Sequence, residues 1–390
     1  MQSKPFAAVA GTMVLVFAGA NLVSPLWPVY GTELHLTAVA LTIVFAGYTL
    51  GAMVALFALG GLSDVIGRRP LLILAVAGTI VSSLLFAFAT NVMWLLAARF
   101  VQGIAVGAVS APANAALNDF NGAHPLRRAA LVGSLATSIG FGLGPFAAGV
   151  LADDAPDPTR TSFFVLIAFG LLALIAMLVL PNTGRREGVA FTGNRASVPA
   201  RIRAPFVRAT ATFLIGWVGG AYFLALGPSL LVTLLGTSSH TIAGASLLVF
   251  FGASAVGQFA VRRISARNQL RIGAVAVGTG LVLAAVATVV HSLPLYFLAV
   301  ILTGASQGIA LLGGLALVSA IAPPTQRAGV IAAFFLCAYL GVTVAVPLLG
   351  WVADAGGLAT AAIAFAAVIA GSAAIAFVDL TRWHDPLSPA

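Results

Sequence analysis

The sequence predicts an all-α membrane protein of twelve transmembrane helices in two parallel six-helix pseudo-repeats. Three observations lead there. The chain is 61% hydrophobic and only 7% charged, whereas a soluble domain is about 25% charged, so its surface calls for lipid rather than water. Its apolar residues fall into runs of about 20 residues, the length that crosses a bilayer. Short segments also recur roughly 200 residues apart.

In chain order the apolar runs cover 6–30, 37–60, 70–90, 92–116, 129–151, 162–180, 206–234, 241–261, 271–290, 294–320, 329–352 and 358–378. The first run follows Lys4 and passes through Ala18–Ala20 ("AGA"), a pattern a secretory signal would share. It continues to Tyr30 and many spans follow, which favours a first span. No connector is long enough for a folded soluble domain. The longest, Pro181–Pro205, is basic and rich in Gly, Pro and Ser. It reads as a cytoplasmic linker with an interfacial turn, joining a first half (1–180) to a second (206–390).

The net charge of +9 comes from cations in the short connectors. A nucleic-acid binder would gather them on a solvated patch. With the N-terminus in the cytoplasm, 17 of the 19 Lys and Arg face that side, among them Arg185, Arg186 and Arg195 in the linker; Arg160 lies outside and Arg99 within a span. This is the bias of the positive-inside rule. It places the chain in the cytoplasmic membrane with both termini inside. The single Cys337 cannot pair within the chain, and the five His show no metal-ligand spacing.

The repeats keep one order. "QGIA" occurs at Gln102–Ala105 and Gln307–Ala310, and "GVLAD" at Gly149–Asp153 is echoed by "GWVAD" at Gly350–Asp354. Two parallel six-helix repeats are a known plan for secondary transporters, whose substrate site lies at the interface of the halves.

Between the second and third runs stands "GGLSDVIGRRP", Gly60–Pro70. Glycine suits a helix end and a tight turn, and arginine suits the cytoplasmic interface. Neither role explains Asp64. The stretch resembles the loop motif G-x-L-x-D-x-x-G-R-R of the major facilitator superfamily, with Gly60, Leu62, Asp64, Gly67, Arg68 and Arg69 in the matching places. "RFVQGIAVG" in the fourth run resembles the family's second motif. "GFGLGPFAAG" resembles the fifth-span motif of its drug:proton antiporter branch, with Gly140, Gly144, Pro145 and Gly149 matching and Ala148 in place of one closing glycine. The resemblance covers the chain by topology and these segments by motif. It implies a charge cluster of Asp64, Arg68 and Asp119 that latches the halves on the cytoplasmic side. Independently of the family, Gly140 with Gly144, Gly103 with Gly107, and Gly304 with Gly308 form GxxxG faces, which let helix backbones approach closely. Pro145 removes a backbone donor and invites a bend.

Arg99 and Gln102 are the coupling or substrate candidates of the fourth span. A cation at that depth costs about 2.5 kcal/mol or more, unless it snorkels to the interface. No Asp, Glu or His stands at mid-span, so the group that would carry a coupling proton is not visible. A rim carboxylate such as Asp153 or Asp354, a relay through Arg99, or transport without a proton step all remain open. The resemblance implies a cavity lined by spans 1, 4, 7 and 10, which offer Asn21, Ser24, Asn114, Trp217, Tyr222, Ser306 and Gln307. This uncharged, amide-and-aromatic set suits a neutral or amphipathic organic molecule, although any of them can equally serve ordinary interhelical hydrogen bonding.

The expected function is therefore a secondary transporter, a monomer exporting a small drug-like compound or metabolite by alternating access. Its energy would come from the proton gradient, with no cofactor. The alternative on the same scaffold is a sugar-efflux-type or uptake permease without proton antiport. ATP use is not expected, because no G-x-x-x-x-G-K-[ST] segment occurs. A membrane-embedded enzyme would want a cluster of His, Asp, Glu or Cys at membrane depth, and none is seen.

Overall fold

The computed structural model describes residues 3–122, 124, 126–184, 196–233, 236, 237 and 239–383. Arg185, Arg186 and Arg195 of the linker, Asp385 and the side chain of Arg127 lie outside the described residues. The helices are α1 (Ser3–Leu22), α2 (Trp27–Glu33), α3 (Ala38–Ala58), α4 (Leu62–Ile66), α5 (Arg68–Ala87), α6 (Val92–Asp119), α7 (Leu126–Asp154) and α8 (Pro158–Leu178). They continue as α9 (Arg203–Ala225), α10 (Gly227–Thr233), α11 (His240–Val261), α12 (Ala266–Val290), α13 (Leu293–Ile321), α14 (Arg327–Gly356) and α15 (Leu358–Arg382). With α1 through α2 taken as one, 12 helical segments are long and apolar enough to cross a membrane, and the described residues contain no strand. The expected all-α class is thus present.

Where helices start and stop follows from local chemistry. Thr37 caps α3 by accepting from the N–H of Ala40, and Asn91 caps α6 by accepting from Met93 and Trp94. Asp157 precedes Pro158, whose ring pre-sets the first helical position, so α8 begins four residues before the expected 162. Two expected spans are broken. The first yields to a 3-10 turn at Ser24–Leu26, where Pro25 and Pro28 bring no N–H. The seventh stops at Leu226, just before Gly227 and Pro228.

The chain forms two compact units. Unit 1 holds Met1–Asn194 together with Thr237–Leu248; unit 2 holds Arg195–Gly236 and Val249–Ala390. Helix α11 is therefore shared: its first turns belong to unit 1. Within unit 1, α1 packs on α7, and α5 on α6 and α8; within unit 2, α12 packs on α13 and α15, and α9 on α13 and α14. Stacked rings centre each core, Phe86 on Phe163 at 4.9 Å and Phe213 on Phe334 at 4.4 Å. Large apolar side chains point outward instead, as with Leu172 at 63% exposed and Ile375 at 73%. Such a surface suits a lipid environment.

The sequence repeat reappears as repeated packing. A Cβ on Gly103 would collide with the carbonyl of Tyr48, and one on Gly308 with the carbonyl of Ser254. In each half the glycine after the QGIA glutamine lets one helix lie directly on another.

Candidate functional site

Arg99 is 1% exposed, so its guanidinium is buried in protein and does not snorkel. Its Nη1 donates to the carbonyl of Ala20 at 2.8 Å and to Gln102 Oε1 at 2.6 Å, while Gln102 Nε2 donates to the carbonyl of Gly19 at 2.6 Å. Both carbonyls lie just before the break in the first span. The rings of Phe45, Tyr48 and Trp27 surround the cation, with centroids 5.0, 5.0 and 5.6 Å away, and attract it through their faces. Among the described residues no carboxylate pairs with Arg99. Asn21 and Ser24 follow Gly19 and Ala20 in sequence and are buried, and Asn21 Nδ2, Ser24 Oγ, Trp27 Nε1 and Arg99 Nε have no partner. A buried cation, hydrogen-bonded to Gln102 and to the α1 backbone, thus sits just before the point where α1 breaks.

The antiporter-like motif lies along α7 and meets two helices. A Cβ on Gly140 or Gly144 would strike the backbone of α1 at Val14 and Ala18; one on Gly149 would strike the carbonyl of His240 at the head of α11. Gly244 in turn lies against the carbonyl of Pro145. One turn past Gly149, the Asp153 carboxylate accepts from Ser239 Oγ (2.7 Å), His240 N (2.8 Å) and Thr241 N (2.9 Å), with His240 Nδ1 at 2.9 Å. It therefore caps the first turn of α11 from another helix, where a negative charge also meets the positive end of the helix dipole. Sequence reasoning missed this partner, 87 positions away. The Ser-Ser-His-Thr run before an apolar stretch does signal a helix start, but not what caps it.

The loop motif forms a closed cluster in unit 1. Gly60 lies in the turn after α3, and Gly67 takes φ +92°, a left-handed conformation that favours glycine. Arg68 Nη1 bonds Asp64 at 2.6 Å and Ser63 Oγ at 2.9 Å, and its Nε lies 3.7 Å from Asp119. The structure thus brings the three expected charges together. It adds partners the sequence did not suggest. Thr183 donates to Asp119 at 2.7 Å and accepts the Arg68 N–H at 2.9 Å, Asn182 bridges Ile66 and Arg69, and Arg69 reaches the carbonyl of Leu178. The start of the linker is therefore threaded through the motif.

The remaining cavity candidates are spread unevenly. Asn114 is exposed and donates to the carbonyl of Ser110. Trp217 is half-buried and meets Tyr339 edge-on at 6.3 Å. Gln307 lies against Gly220 with its buried Oε1 unpartnered. Ser306 and Tyr222 turn into the core of unit 2: Ser306 donates to the carbonyl of Gly273 at 2.8 Å, and Tyr222 stacks on Phe365 at 5.5 Å.

This fold and these clusters define a multi-pass membrane protein of twelve spans with a buried cation in its first half. Residues 9–285 match the Major Facilitator Superfamily. The chain belongs to that family, and is therefore a transporter and not an enzyme. It is 30% identical over 173 residues to the quinolone resistance protein NorA of Staphylococcus aureus, a match covering 44% of this chain and 44% of NorA. The chain thus matches less than half the length of that curated relative. Among solved structures, a mutant form of the nucleoside transporter NupG shares the fold with TM-score 0.75 at 15% identity, covering 97% of this chain and 99% of that one. A bacterial homolog of the human lysosomal transporter Spinster does so with TM-score 0.74 at 15% identity, covering 100% and 99%.

Proposed function

We propose that this transporter exports small organic compounds by alternating access, as a monomer in the cytoplasmic membrane with both termini inside, driven by the proton gradient. The observation that carries the reading is the small-residue face of α7. Gly140 and Gly144 hold α1, and Gly149 holds the head of α11, by approaches only glycine permits. Such faces carry no interlocking side chains, so helices shift along them with little repacking. They occupy the segment that resembles the antiporter motif, and a quinolone resistance protein is a relative over part of the chain. The buried Arg99–Gln102 pair, bonded to the α1 backbone at Gly19 and Ala20, is the polar feature that in this reading meets a substrate or senses the proton step. Asn114 in unit 1 offers an amide, and Trp217 and Gln307 in unit 2 offer an aromatic and an amide group, each taken by itself the chemistry that suits a neutral or amphipathic molecule.

One observation favours the second reading, a permease or facilitator without proton antiport: the chain has no Asp, Glu or His at mid-span. Purified protein in liposomes with an imposed pH gradient, tested over a compound panel that includes a fluoroquinolone, separates the two. Antiport gives substrate-dependent proton flux. Substrate movement without proton flux selects the facilitator, and no movement of any compound in the panel rejects the export reading for that chemistry.

A further inference from the structure

The lipid-facing side of unit 2 carries a groove of about 360 Å³ between α12, α13 and α15. Its walls include Ile272, Val275, Ala276, Leu302 and Phe377, and Arg271 stands at one end. From Arg271 to Thr279, which also borders it, the groove follows α12 for eight residues, or about 12 Å at ~1.5 Å per residue. That is close to half of a hydrocarbon core about 30 Å thick, the depth one acyl chain reaches in one leaflet. Its polar end is strongly basic. Arg267 donates to the carbonyls of Leu380 and Thr381, and Arg271 to Leu380 and to Asn268 Oδ1. Each arginine thereby uses two of about five N–H donors. Asp379, the one carboxylate in the last turn of α15, is taken by Arg208 at 2.8 Å. A second groove, of about 400 Å³, runs past Ile375 and Val378 of the same helix to Arg382.

From this geometry we infer that the α12–α15 groove is a binding site for an anionic phospholipid, its phosphate on Arg271 and one acyl chain along Val275, Ala276 and Phe377. An apolar channel alone would accept any lipid tail. The surplus of unpaired guanidinium donors at its mouth selects a headgroup whose phosphate charge is not cancelled by an amine. The site is independent of the export reading and rests only on the orientation taken from the cation bias, which places these arginines at the inner leaflet.

The test uses the full chain released from mixed phosphatidylcholine–phosphatidylglycerol bilayers, with retained lipid counted by native mass spectrometry. Wild-type protein retains phosphatidylglycerol over phosphatidylcholine. Arg271→Ala lowers that preference about fivefold, the loss of one cation near an anionic surface, while Arg271→Lys keeps most of it. Because Arg271 also holds the end of α15, Ala276→Trp provides the second arm: it fills the groove, leaves the arginines in place, and lowers retained phosphatidylglycerol by a similar factor. Added inorganic phosphate does not displace the lipid. Equal retention of the two lipids by wild type, or unchanged retention in Ala276→Trp, overturns the proposal whatever the transport assay shows.

Discussion

The two glutamines of the repeated QGIA segment do different work in the two halves. Gln102 uses both ends of its amide, giving to Gly19 and receiving from Arg99. Gln307 also lies against a glycine, Gly220, but its buried Oε1 has no partner. The position that Arg99 holds in the first half is held in the second by Gly304, which lets α13 touch the backbone of Phe250. The first helix of each half breaks at a proline, near Pro25 and Pro228, and only the first half puts a cation at the break. Neither the QGIA packing nor the broken helix therefore requires an arginine. A buried cation is costly, and a scaffold that works without it once has no packing reason to carry it. This difference supports the role in transport proposed for Arg99.

Arg99→Leu breaks the comparison most directly. It makes the first half apolar at that position, like the second. Gln102 Oε1 then loses its donor, which costs about 1–3 kcal/mol of stability, and substrate-driven transport in liposomes falls to background. Wild-type transport by a normally inserted Arg99→Leu protein would make Arg99 a packing residue. Asp64→Asn is expected to abolish transport as well, with little change in thermal stability, because the Asp64 side chain is 42% exposed. The corresponding second-half connector, Arg262–Ser265, carries two arginines and no acid, so the effect belongs to the first half alone. Full transport by Asp64→Asn at normal surface expression would remove the idea of a latch.

Next come the features the halves share. Gly103→Ala and Gly308→Ala each push a methyl into a backbone carbonyl of the neighbouring helix, of Tyr48 and Ser254. Each is expected to cost about 1–3 kcal/mol through overpacking, read as lowered melting temperature in detergent. Similar losses at both sites sharpen the repeat as a structural unit. A large loss at one and none at the other would show that the resemblance in sequence is not one in packing.

Much of this was legible in the sequence, for identifiable reasons. Twelve spans could be read because lipid demands long apolar runs. The triad could be read because Asp64 and Arg68 stand in a segment that resembles a family motif, and that resemblance implied Asp119 as their partner. The breaks at Ser24–Leu26 and Leu226 were missed although prolines mark them, because an apolar run reads the same whether or not its backbone bonds are continuous. Asn182, Thr183 and His240 were missed for another reason. They are polar residues in connectors, and what makes them partners is a contact 64 to 116 positions away, which no local pattern encodes. Ser306 and Tyr222 were proposed from helix membership alone, which does not say which face a residue occupies; in the fold Ser306 bonds the carbonyl of Gly273 and Tyr222 stacks on Phe365.

The smallest expected effect tests the clasp on α11. Asp153 uses both oxygens: Oδ1 takes the His240 N–H with the ring Nδ1 beside it, and Oδ2 takes Thr241 N–H and Ser239 Oγ. Asp153→Asn replaces one oxygen with an amide that donates, so at least one helix N–H loses its acceptor and the charge at the positive end of α11 disappears. The side chain is 26% exposed, so solvent softens the change, and about 1 kcal/mol is expected from the lost cap and dipole interaction. The wild-type advantage should shrink with added salt, since its charge-dependent part is screened. The transport rate is the more telling readout. The clasp holds the first turn of α11, in the stretch through Leu248 that groups with unit 1 while the rest of the helix groups with unit 2, so weakening it loosens the unit 1 end of a helix that the two units share. A changed turnover rate with a small stability loss supports a role for the clasp in the cycle. A stability loss with unchanged turnover reduces Asp153 to an ordinary helix cap contributed from a neighbouring helix.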